Sequence, residues 1–247
     1  LEFKNEFNQL VGKNIFSQSL LILKFGDEYN QVININVLPQ SLISLHFGDN
    51  YDQPIGIGAL PQQLLKIFFG IYYNQPIGIN ILPQSLKTLR FGTHYNHPIN
   101  NIILPKMLQI LELSTNFNHP INENTFPSQL RKLYIWGLED FPIKPNVLPK
   151  SIRSMSLGGQ YNHPLELDVL PQLLEKLGLS GNFNQSLIPY VLPNTLQHLY
   201  LGDDFSQPIE CNVLPQSLQT LELYSDFNYS LKPNVLPKLL KKLKICG

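Results

Sequence analysis

The repeat that decides the fold reads FGTHYNHPI at residues 91–99, IILP at 102–105 and LQILEL at 108–113. Similar segments recur about eleven times from one end of the 247-residue chain to the other. A unit of 22 residues is too short to bury its own apolar face, so the sequence predicts a stack of coils. Prolines 22 residues apart set the register: Pro39, Pro61, Pro83, Pro105, Pro127, Pro149, Pro171, Pro193, Pro215 and Pro237.

Aliphatic residues follow each register proline at fixed distances, as Leu108, Leu111 and Leu113 follow Pro105. The last two are two residues apart, which is the period of a β-strand. The LxxLxL spacing is typical of leucine-rich repeats, and stacked coils would place parallel strands ~4.8 Å apart. We predict a mainly β, leucine-rich-repeat-like parallel β-solenoid of about eleven 22-residue coils, with one short strand per coil. Because proline interrupts helices, we expect a convex side of extended segments and 3₁₀ turns with little α-helix.

An aromatic residue and then an asparagine follow each predicted strand, as Tyr95 and Asn96 do. An aromatic recurring at one phase stacks on its copies, so these rings predict a core column. Inward asparagines can accept from the next coil and donate to a carbonyl, and we expect Asp52 to fit such a ladder less well. Glu139 occupies the aromatic slot in one coil, so we expect a local irregularity at residues 138–142. The predicted structural ladder contains Asn8, Asn30, Asn74, Asn96, Asn118, Asn162, Asn184 and Asn228.

The composition favours a folded chain that binds neither nucleic acid nor a membrane. Apolar residues make up 43% of the chain, and 18 basic residues balance 18 acidic ones. No segment approaches the ~20 apolar residues of a membrane span. Cys211 and Cys246 lie far apart and form no disulfide framework, which favours a reducing, cytoplasmic location. Since the chain starts in mid-repeat, we expect residues 1–247 to be one repeat domain from a longer protein.

The motif of an aromatic, Asn, Gln or His, Pro and Ile, joined to Leu-Pro-x-Ser-Leu-x-x-Leu, resembles the FNIP repeats of social amoebae and giant viruses. Residues 73–77, 95–99 and 117–121 are close copies, and the resemblance covers essentially the whole chain. Ser186 and Ser230 depart from the motif because the proline is missing there. Family members often carry an F-box upstream of the repeats. The resemblance therefore implies a leucine-rich-repeat-like fold and the substrate-binding part of a ubiquitin-ligase adaptor.

The outward strand position varies from coil to coil, unlike the core positions, as a recognition surface would. On a leucine-rich-repeat scaffold these side chains lie on the concave sheet. Aromatic residues and arginine dominate interface hot spots, so their clusters mark candidate partner-binding sites. Unconstrained surface is the alternative reading, and Trp136 has a second one, a packing response to the irregularity at 138–142. The candidates are Phe68, Tyr72, Arg90, His94, Glu112, Arg131, Tyr134, Trp136, Arg153, Tyr200 and Tyr224.

No motif in the sequence points to catalysis. His97, His119 and His163 share a slot that is otherwise filled mostly by Gln, so a hydrogen-bonding role is favoured over a metal site. Nucleophile–base pairs, paired carboxylates and glycine-rich phosphate loops are not evident. We predict a non-enzymatic protein-recognition scaffold without a cofactor, metal or catalytic residue. The alternative is a structural module that self-associates through open solenoid ends.

Overall fold

Eleven short strands, one per repeat, form the regular part of the chain. The computed structural model describes residues 1–99, 104–224 and 227–245, and within these ranges no helix occurs. A single bridge between Glu2 and Lys24 adds one further coil before the first strand. The strands are β1 (Ile22–Lys24), β2 (Ser44–His46), β3 (Lys66–Phe68), β4 (Thr88–Arg90), β5 (Ile110–Leu113), β6 (Lys132–Ile135), β7 (Ser154–Leu157), β8 (Lys176–Leu179), β9 (His198–Leu201), β10 (Thr220–Leu223) and β11 (Lys242–Ile245).

The strands belong to two compact units, Leu1–Phe117 with β1–β5 (unit 1) and Asn118–Gly247 with β6–β11 (unit 2). Within each unit the strands are parallel and follow chain order. Every paired residue lies 22 positions from its partner, as Leu23 does from Leu45. The predicted parallel β-solenoid with one strand per coil is confirmed.

The core lies on the inward side of the strands, where the recurring leucines and aromatics are fully buried. Tyr29, Tyr51 and Tyr73 are each 0% exposed. The rings of Tyr29 and Tyr51 stack with centroids 6.1 Å apart and planes only 2° from parallel. Each ring also stacks on the phenylalanine that follows its own strand, as Tyr51 does on Phe47 at 4.0 Å. The predicted aromatic column is therefore present, and it uses two rings per coil in the coils of β1–β4.

The segments between strands are extended and broken by single turns. In each proline segment one backbone hydrogen bond closes a turn, as the Leu42 amide donates to the Pro39 carbonyl at 3.1 Å. The described residues contain these isolated turns rather than runs of 3₁₀ helix. Proline fits here because its own segment makes no strand ladder that would need a backbone N–H.

A second row of asparagines lies in the turn before each Val-Leu-Pro or similar segment and was not predicted. Its members adopt φ near +63°, the left-handed region that asparagine tolerates better than most residues. Part of the asparagine enrichment is therefore explained by the need for a residue that tolerates positive φ in these turns. The residues with positive φ at this phase are Asn14, Asn36, Asn80, Asn124, Asn146, Asp168, Tyr190, Asn212 and Asn234, with Gly58 in one coil.

The irregularity expected at residues 138–142 takes a specific form. Leu138 adopts φ +72° and is fully buried, whereas Glu139 in the aromatic slot is exposed. Phe141 is only half-buried. Leu138 therefore supplies the apolar core side chain of this coil, one residue earlier than the aromatic of other coils.

The strands come in two lengths, three residues in β1–β4 and four in β5–β11. In unit 1 a glycine follows the phenylalanine after the strand, as Gly48 follows Phe47, and it packs on the backbone of the preceding coil. A Cβ at Gly48 would lie 2.0 Å from the Gly26 carbonyl oxygen. In unit 2 the ladder runs one residue further, as the Gly158 amide donates to the Ile135 carbonyl at 2.9 Å. In three coils of unit 2 the position after the strand carries a half-buried side chain, those of Trp136, Ser180 and Tyr224.

Candidate recognition surface

Strand alternation builds the exposed face of each sheet. In β6 the pattern is exposed, buried, half-buried, buried, which leaves Lys132 and Tyr134 outward while Leu133 and Ile135 enter the core. Trp136 continues the alternation beyond the strand and is half-buried. We call Lys132, Tyr134, Trp136 and their equivalents in the next coils the strand face of unit 2. The equivalents are Ser154, Ser156, Gly158, Lys176, Gly178, Ser180, His198, Tyr200, Gly202, Thr220, Glu222, Tyr224, Lys242 and Lys244.

In unit 1 the outward strand positions His46, Phe68, Arg90 and Glu112 make a short series of polar and aromatic contacts. The His46 ring stacks on Phe68 with centroids 4.3 Å apart, and the Arg90 guanidinium lies 5.8 Å from the Phe68 ring centroid. Arg90 also pairs with Glu112. Burial, followed by the nearby charges of Lys24 and Lys66, lowers the pKa of His46, so its imidazole is neutral near pH 7. Phe68, Arg90 and Glu112 are thus brought together as one cluster.

Tyr72 and His94 form a separate contact in the turns that follow the strands of unit 1. Their ring centroids are 4.9 Å apart, and Tyr72 is 51% exposed. His94 Nδ1 lies 3.1 Å from the Ile71 carbonyl oxygen, which holds the ring against the preceding coil. The two candidates therefore lie in turns rather than on the strand face that carries Phe68.

Aromatic residues stand at two levels of the strand face of unit 2. Tyr134 and Trp136 have centroids 6.2 Å apart and nearly parallel planes. The indole of Trp136 leans over the next coil, where a Cβ at Gly158 would lie 2.5 Å from its Cε3 atom. Trp136 is therefore seated in the space that Gly158 leaves open. The alternative interpretation of Trp136, as a packing response to residues 138–142, did not predict this contact with Gly158.

The second aromatic level is tied to charged side chains. Tyr200 and Tyr224 have centroids 4.9 Å apart, and the Tyr224 hydroxyl donates to Glu222 Oε2 at 2.9 Å. Lys242 pairs with the other carboxylate oxygen of Glu222 at 2.5 Å, and Lys244 lies 4.2 Å from the Tyr224 ring centroid. The hydrogen bond from Lys242, followed by that from Tyr224, lowers the pKa of Glu222, so the carboxylate is ionised and locally neutralised.

The two arginine candidates of unit 2 lie one residue before strands β6 and β7. Arg153 pairs with Glu175 at 3.5 Å and donates to the Leu173 carbonyl at 3.2 Å. Arg131 is exposed, and its carbonyl accepts from the amides of Arg153 and Ser154. Both therefore flank the strand face, and Arg153 is partly engaged within the unit.

A groove of about 510 Å³ opens between the two aromatic levels of unit 2. Its floor comes from the small residues Ser156 and Gly178, and its ends come from Trp136 and Tyr200. The aromatics were predicted site residues and the floor was not, although the sequence signal for it is the order Tyr134, Ser156, Gly178, Tyr200 at one strand position. The remaining lining residues are Ser154, Met155, Lys176, Leu177, Ser180, His198, Leu199, Thr220 and Glu222.

The asparagine positions form side-chain bridges between successive coils. Asn30 Oδ1 accepts from the Asp52 amide at 3.0 Å and from Gln53 Nε2 at 3.0 Å. The acceptor oxygen is what the bridge uses, because Asp52 Oδ1 accepts from the Asn74 amide at 2.9 Å in the same way. The expectation that aspartate fits poorly is therefore wrong. Equivalent bonds run from the backbone amides of residues 30, 96, 140, 184 and 206 to the Oδ1 atoms of Asn8, Asn74, Asn118, Asn162 and Asn184, respectively. Asn228 lies exposed after Phe227.

Histidines in the glutamine slot join the same bridges. His97 Nε2 lies 2.9 Å from the Asn74 carbonyl oxygen, and His163 Nε2 lies 2.7 Å from that of Glu139. Residues 1–99, 104–224 and 227–245 contain no group of three His, Cys, Asp or Glu side chains that could hold a metal ion. Cys211 is an exposed free thiol, and Cys246 lies outside the described residues. Across these same ranges, no helix is long and apolar enough to cross a membrane.

Comparison with known proteins shows where this repeat occurs. One solved structure, described as that of CroV588, a circular leucine-rich-repeat protein, matches with a TM-score of 0.81 and 39% identity over 99% of this chain. This chain spans 39% of the length of CroV588. A leucine-rich-repeat protein from Bacteroides ovatus matches at 15% identity over 98% of this chain and 74% of its own, but its TM-score of 0.19 supports no inference. No curated protein sequence matches this chain significantly.

A family model described as FNIP Repeat matches the chain at residues 7–49, 36–72, 73–116, 95–136, 140–182, 183–225 and 205–247. Repeat solenoids of this leucine-rich-repeat-like type are typically scaffolds without enzymatic activity. With matches from Phe7 to the last residue, the chain belongs to the FNIP-repeat family.

Proposed function

We propose that this protein is a non-enzymatic scaffold that recognises a partner protein through the strand face of unit 2. The observation that carries the proposal is the groove between Trp136 and Tyr200 on a sheet whose core positions are otherwise nearly uniform. A rigid parallel sheet holds these side chains at fixed spacings without help from a ligand. Such preorganisation lowers the entropy lost on binding.

The chemistry of the groove supports protein recognition. Tyrosine, tryptophan and arginine dominate protein interfaces because they bury large areas and retain a polar group. Here Trp136 and Tyr200 are half-buried by their own unit, so their remaining surface is available to a partner. The cluster of Phe68, Arg90 and Glu112 in unit 1 is a second candidate contact, although the salt bridge occupies part of its charge.

A role as the substrate-binding part of an F-box-type ubiquitin-ligase adaptor is the finer form of the proposal. It is supported only by membership of the FNIP-repeat family. The exposed thiol of Cys211 fits the reducing intracellular location that this role requires. Sequencing the gene upstream of Leu1 tests the adaptor role, since an F-box there supports it and its absence from the whole protein contradicts it.

The test of recognition compares proteins captured from host lysate by the unaltered chain and by the double variant Tyr134→Ala/Trp136→Ala. We expect the variant to lose at least one specific partner, because Trp136 lines one end of the groove and Tyr134 stacks on it. The matched control is Tyr190→Asn/Tyr229→Ala, which removes two exposed tyrosines of unit 2 from turns outside the strand face. An unchanged set of partners for Tyr134→Ala/Trp136→Ala contradicts the proposed surface.

A further inference from the structure

The groove of unit 2 has a shape that suits one bulky side chain. Trp136 leans over Gly158, and Tyr200 stands two coils beyond that glycine, a span of about 10 Å at the usual strand spacing. Ser156 and Gly178 lie between them and leave the floor open. The volume of about 510 Å³ falls in the range of small-ligand pockets, which are ~300–1,000 Å³. A large apolar side chain can therefore enter between the two aromatic levels.

Charge on the strand face is strongly uneven. At the positions of this face that the structure describes, four lysines accompany one carboxylate, that of Glu222. Lys242 pairs with Glu222, and Lys244 lies over the Tyr224 ring. At the edge where the strands begin, Lys176 lines the groove and Lys132 holds the same strand position two coils earlier. Both are exposed, and neither has an ion-pair partner among the residues that the structure describes. This edge therefore offers unneutralised positive charge to a ligand.

The opposite edge of the groove is acidic. Asp203 and Asp204 follow Gly202 in the next turn and are exposed. Both lie just after the end of β9, the strand that carries Tyr200 at one end of the groove. A ligand with localised negative charge can pair with Lys132 and Lys176 while avoiding Asp203 and Asp204. A uniform polyanion such as single-stranded nucleic acid, with one charge per nucleotide, is less able to do so.

We propose that this groove binds an acidic, extended segment of a partner protein that inserts one large apolar side chain between Trp136 and Tyr200. The carboxylates of the segment pair with Lys132 and Lys176. Hydroxyl groups of Ser154, Ser156 and Thr220 line the same groove and can bond the peptide backbone of the segment. The inference rests on the proposed recognition function and adds the chemistry of the partner.

Trp136 is the single tryptophan of the chain, so its fluorescence reports on the groove directly. The probes are three blocked peptides, EEGFGEE, EEGAGEE and KKGFGKK, and the ten-nucleotide strand oligo-dT. We expect saturable quenching or a shift with EEGFGEE, at least tenfold weaker binding of EEGAGEE and none of KKGFGKK. Binding of EEGFGEE should weaken with salt, since its ion pairs are exposed. Failure of EEGFGEE to bind, equal binding of EEGAGEE, or tighter binding of oligo-dT overturns the inference.

Two variants test the site without altering the core. Gly178→Tyr fills the floor, and the fold accepts it because Tyr200 occupies the same strand position in the next coil; only the movable Ser156 Oγ, 2.7 Å from the new Cβ, must rotate. Lys176→Glu reverses the charge of the cationic edge. We expect each to reduce EEGFGEE affinity at least tenfold, with an unchanged circular dichroism spectrum. Lys238→Glu, the same charge reversal outside the strand face, should bind normally.

The outcomes separate this inference from the proposed function. If Tyr134→Ala/Trp136→Ala loses partners from lysate but EEGFGEE does not bind, the recognition surface stands and the acidic-segment inference is wrong. If the variant keeps all partners and EEGFGEE still binds through Lys176, the groove is a peptide site and the lysate partners use another surface. Retained peptide affinity in both Gly178→Tyr and Lys176→Glu contradicts the inference.

Discussion

The side chains that recur from coil to coil in this solenoid have two main roles: aromatic rings stack within the core, and asparagines bridge to the next coil. Tyr29, Tyr51 and Tyr73 stack in unit 1, yet their buried hydroxyls have no hydrogen-bond partner among the described residues. Phenylalanine fills the same slot elsewhere, at Phe117, Phe183 and Phe205, and stacks with similar spacing. The ring is therefore the structural requirement, and the hydroxyl costs free energy where it is buried.

Replacing Tyr29 with phenylalanine should stabilise the protein. Removing an unpartnered buried hydroxyl avoids a desolvation cost of about 1–3 kcal/mol. Urea unfolding at pH 7, followed by circular dichroism, measures the change, and Tyr72→Phe, which alters an exposed tyrosine, is the control. A clear loss of stability in Tyr29→Phe would show that the hydroxyl is hydrogen-bonded in solution.

The same tyrosines predict alkaline unfolding. Burial raises the pKa of Tyr29 from 10.0 to about 12, so the folded state keeps a proton that the unfolded state loses. The stability from this group is complete below pH 10 and is lost as the pH rises from 10 towards 12. Tyr29→Phe should shift the alkaline unfolding midpoint to higher pH in a titration followed by circular dichroism. An unchanged midpoint would contradict this account.

The asparagine bridges depend on an acceptor oxygen, and Asn184 tests this. Its Oδ1 accepts from the Ser206 amide and from Gln207 Nε2, both at 3.0 Å. Asn184→Ala leaves both donors unpaired and should cost about 1–2 kcal/mol in urea unfolding. Asn184→Asp keeps the acceptor, as Asp52 does, and should remain within about 0.5 kcal/mol of the unaltered protein. Equal losses in the two variants would contradict the acceptor role.

At the scale of the element, the residue that ends each strand decides how much face a coil exposes. In unit 1 glycine packs on the backbone of the preceding coil, and a Cβ at Gly70 would lie 2.1 Å from the Gly48 carbonyl oxygen. In unit 2 the same position carries the half-buried side chains of Trp136, Ser180 and Tyr224, which continue the strand face. The groove thus depends on the residue after the strand, since Trp136 and Ser180 both line it.

Two glycine substitutions in unit 1 should differ sharply. Gly70→Ala forces a Cβ into fixed backbone and should cost about 3 kcal/mol, the upper part of the range for overpacking. Gly56→Ala meets no atom within 4 Å and has no positive φ, so it should be neutral or stabilising by about 0.5 kcal/mol. Thermal unfolding of both variants checks this, and similar melting temperatures would contradict the close packing at Gly70.

At the scale of the whole chain, β11 is the strand of residues 1–247 with the most exposed core positions. Leu243 and Ile245 in β11 are 41% and 47% exposed, whereas Leu221 and Leu223 in β10 are fully buried. Exposed strand edges pair readily with other chains unless charge opposes it. Lys238, Lys241 and Lys242 supply such charge near this edge. We therefore expect the balance between apolar surface and lysine repulsion to decide whether residues 1–247, taken by themselves, self-associate.

We expect this chain to associate weakly, and more strongly at high salt because screening removes the lysine repulsion. Sedimentation velocity over a range of concentrations at 0.05 and 0.5 M NaCl measures the effect. Leu243→Lys/Ile245→Lys should abolish association, whereas Gly178→Tyr in the groove should leave it unchanged. A chain that stays monomeric at every concentration and both salt levels contradicts association through β11.

Much of the fold was predictable because the same pattern of apolar, aromatic and proline residues recurs from repeat to repeat. A 22-residue period, paired inward positions and a proline register each leave one solution, a stack of single-strand coils, and averaging over eleven copies removes local ambiguity. Leu138 was not predictable, since its burial depends on a left-handed backbone that only the packed coil imposes. The second asparagine row carried a periodic signal, but its turn conformation did not follow from the spacing alone.

The sequence by itself determined the coil, its core and its period, because those follow from side-chain alternation and from apolar surface that a single repeat cannot bury. Only the tertiary structure decided which outward residues meet. Trp136 lies over Gly158, Glu222 is shared by Lys242 and Tyr224, and Ser156 with Gly178 opens the floor between aromatic levels. Apart from the bond between Tyr224 and Glu222, these contacts join neighbouring coils, and all of them depend on rotamers and on where each strand ends.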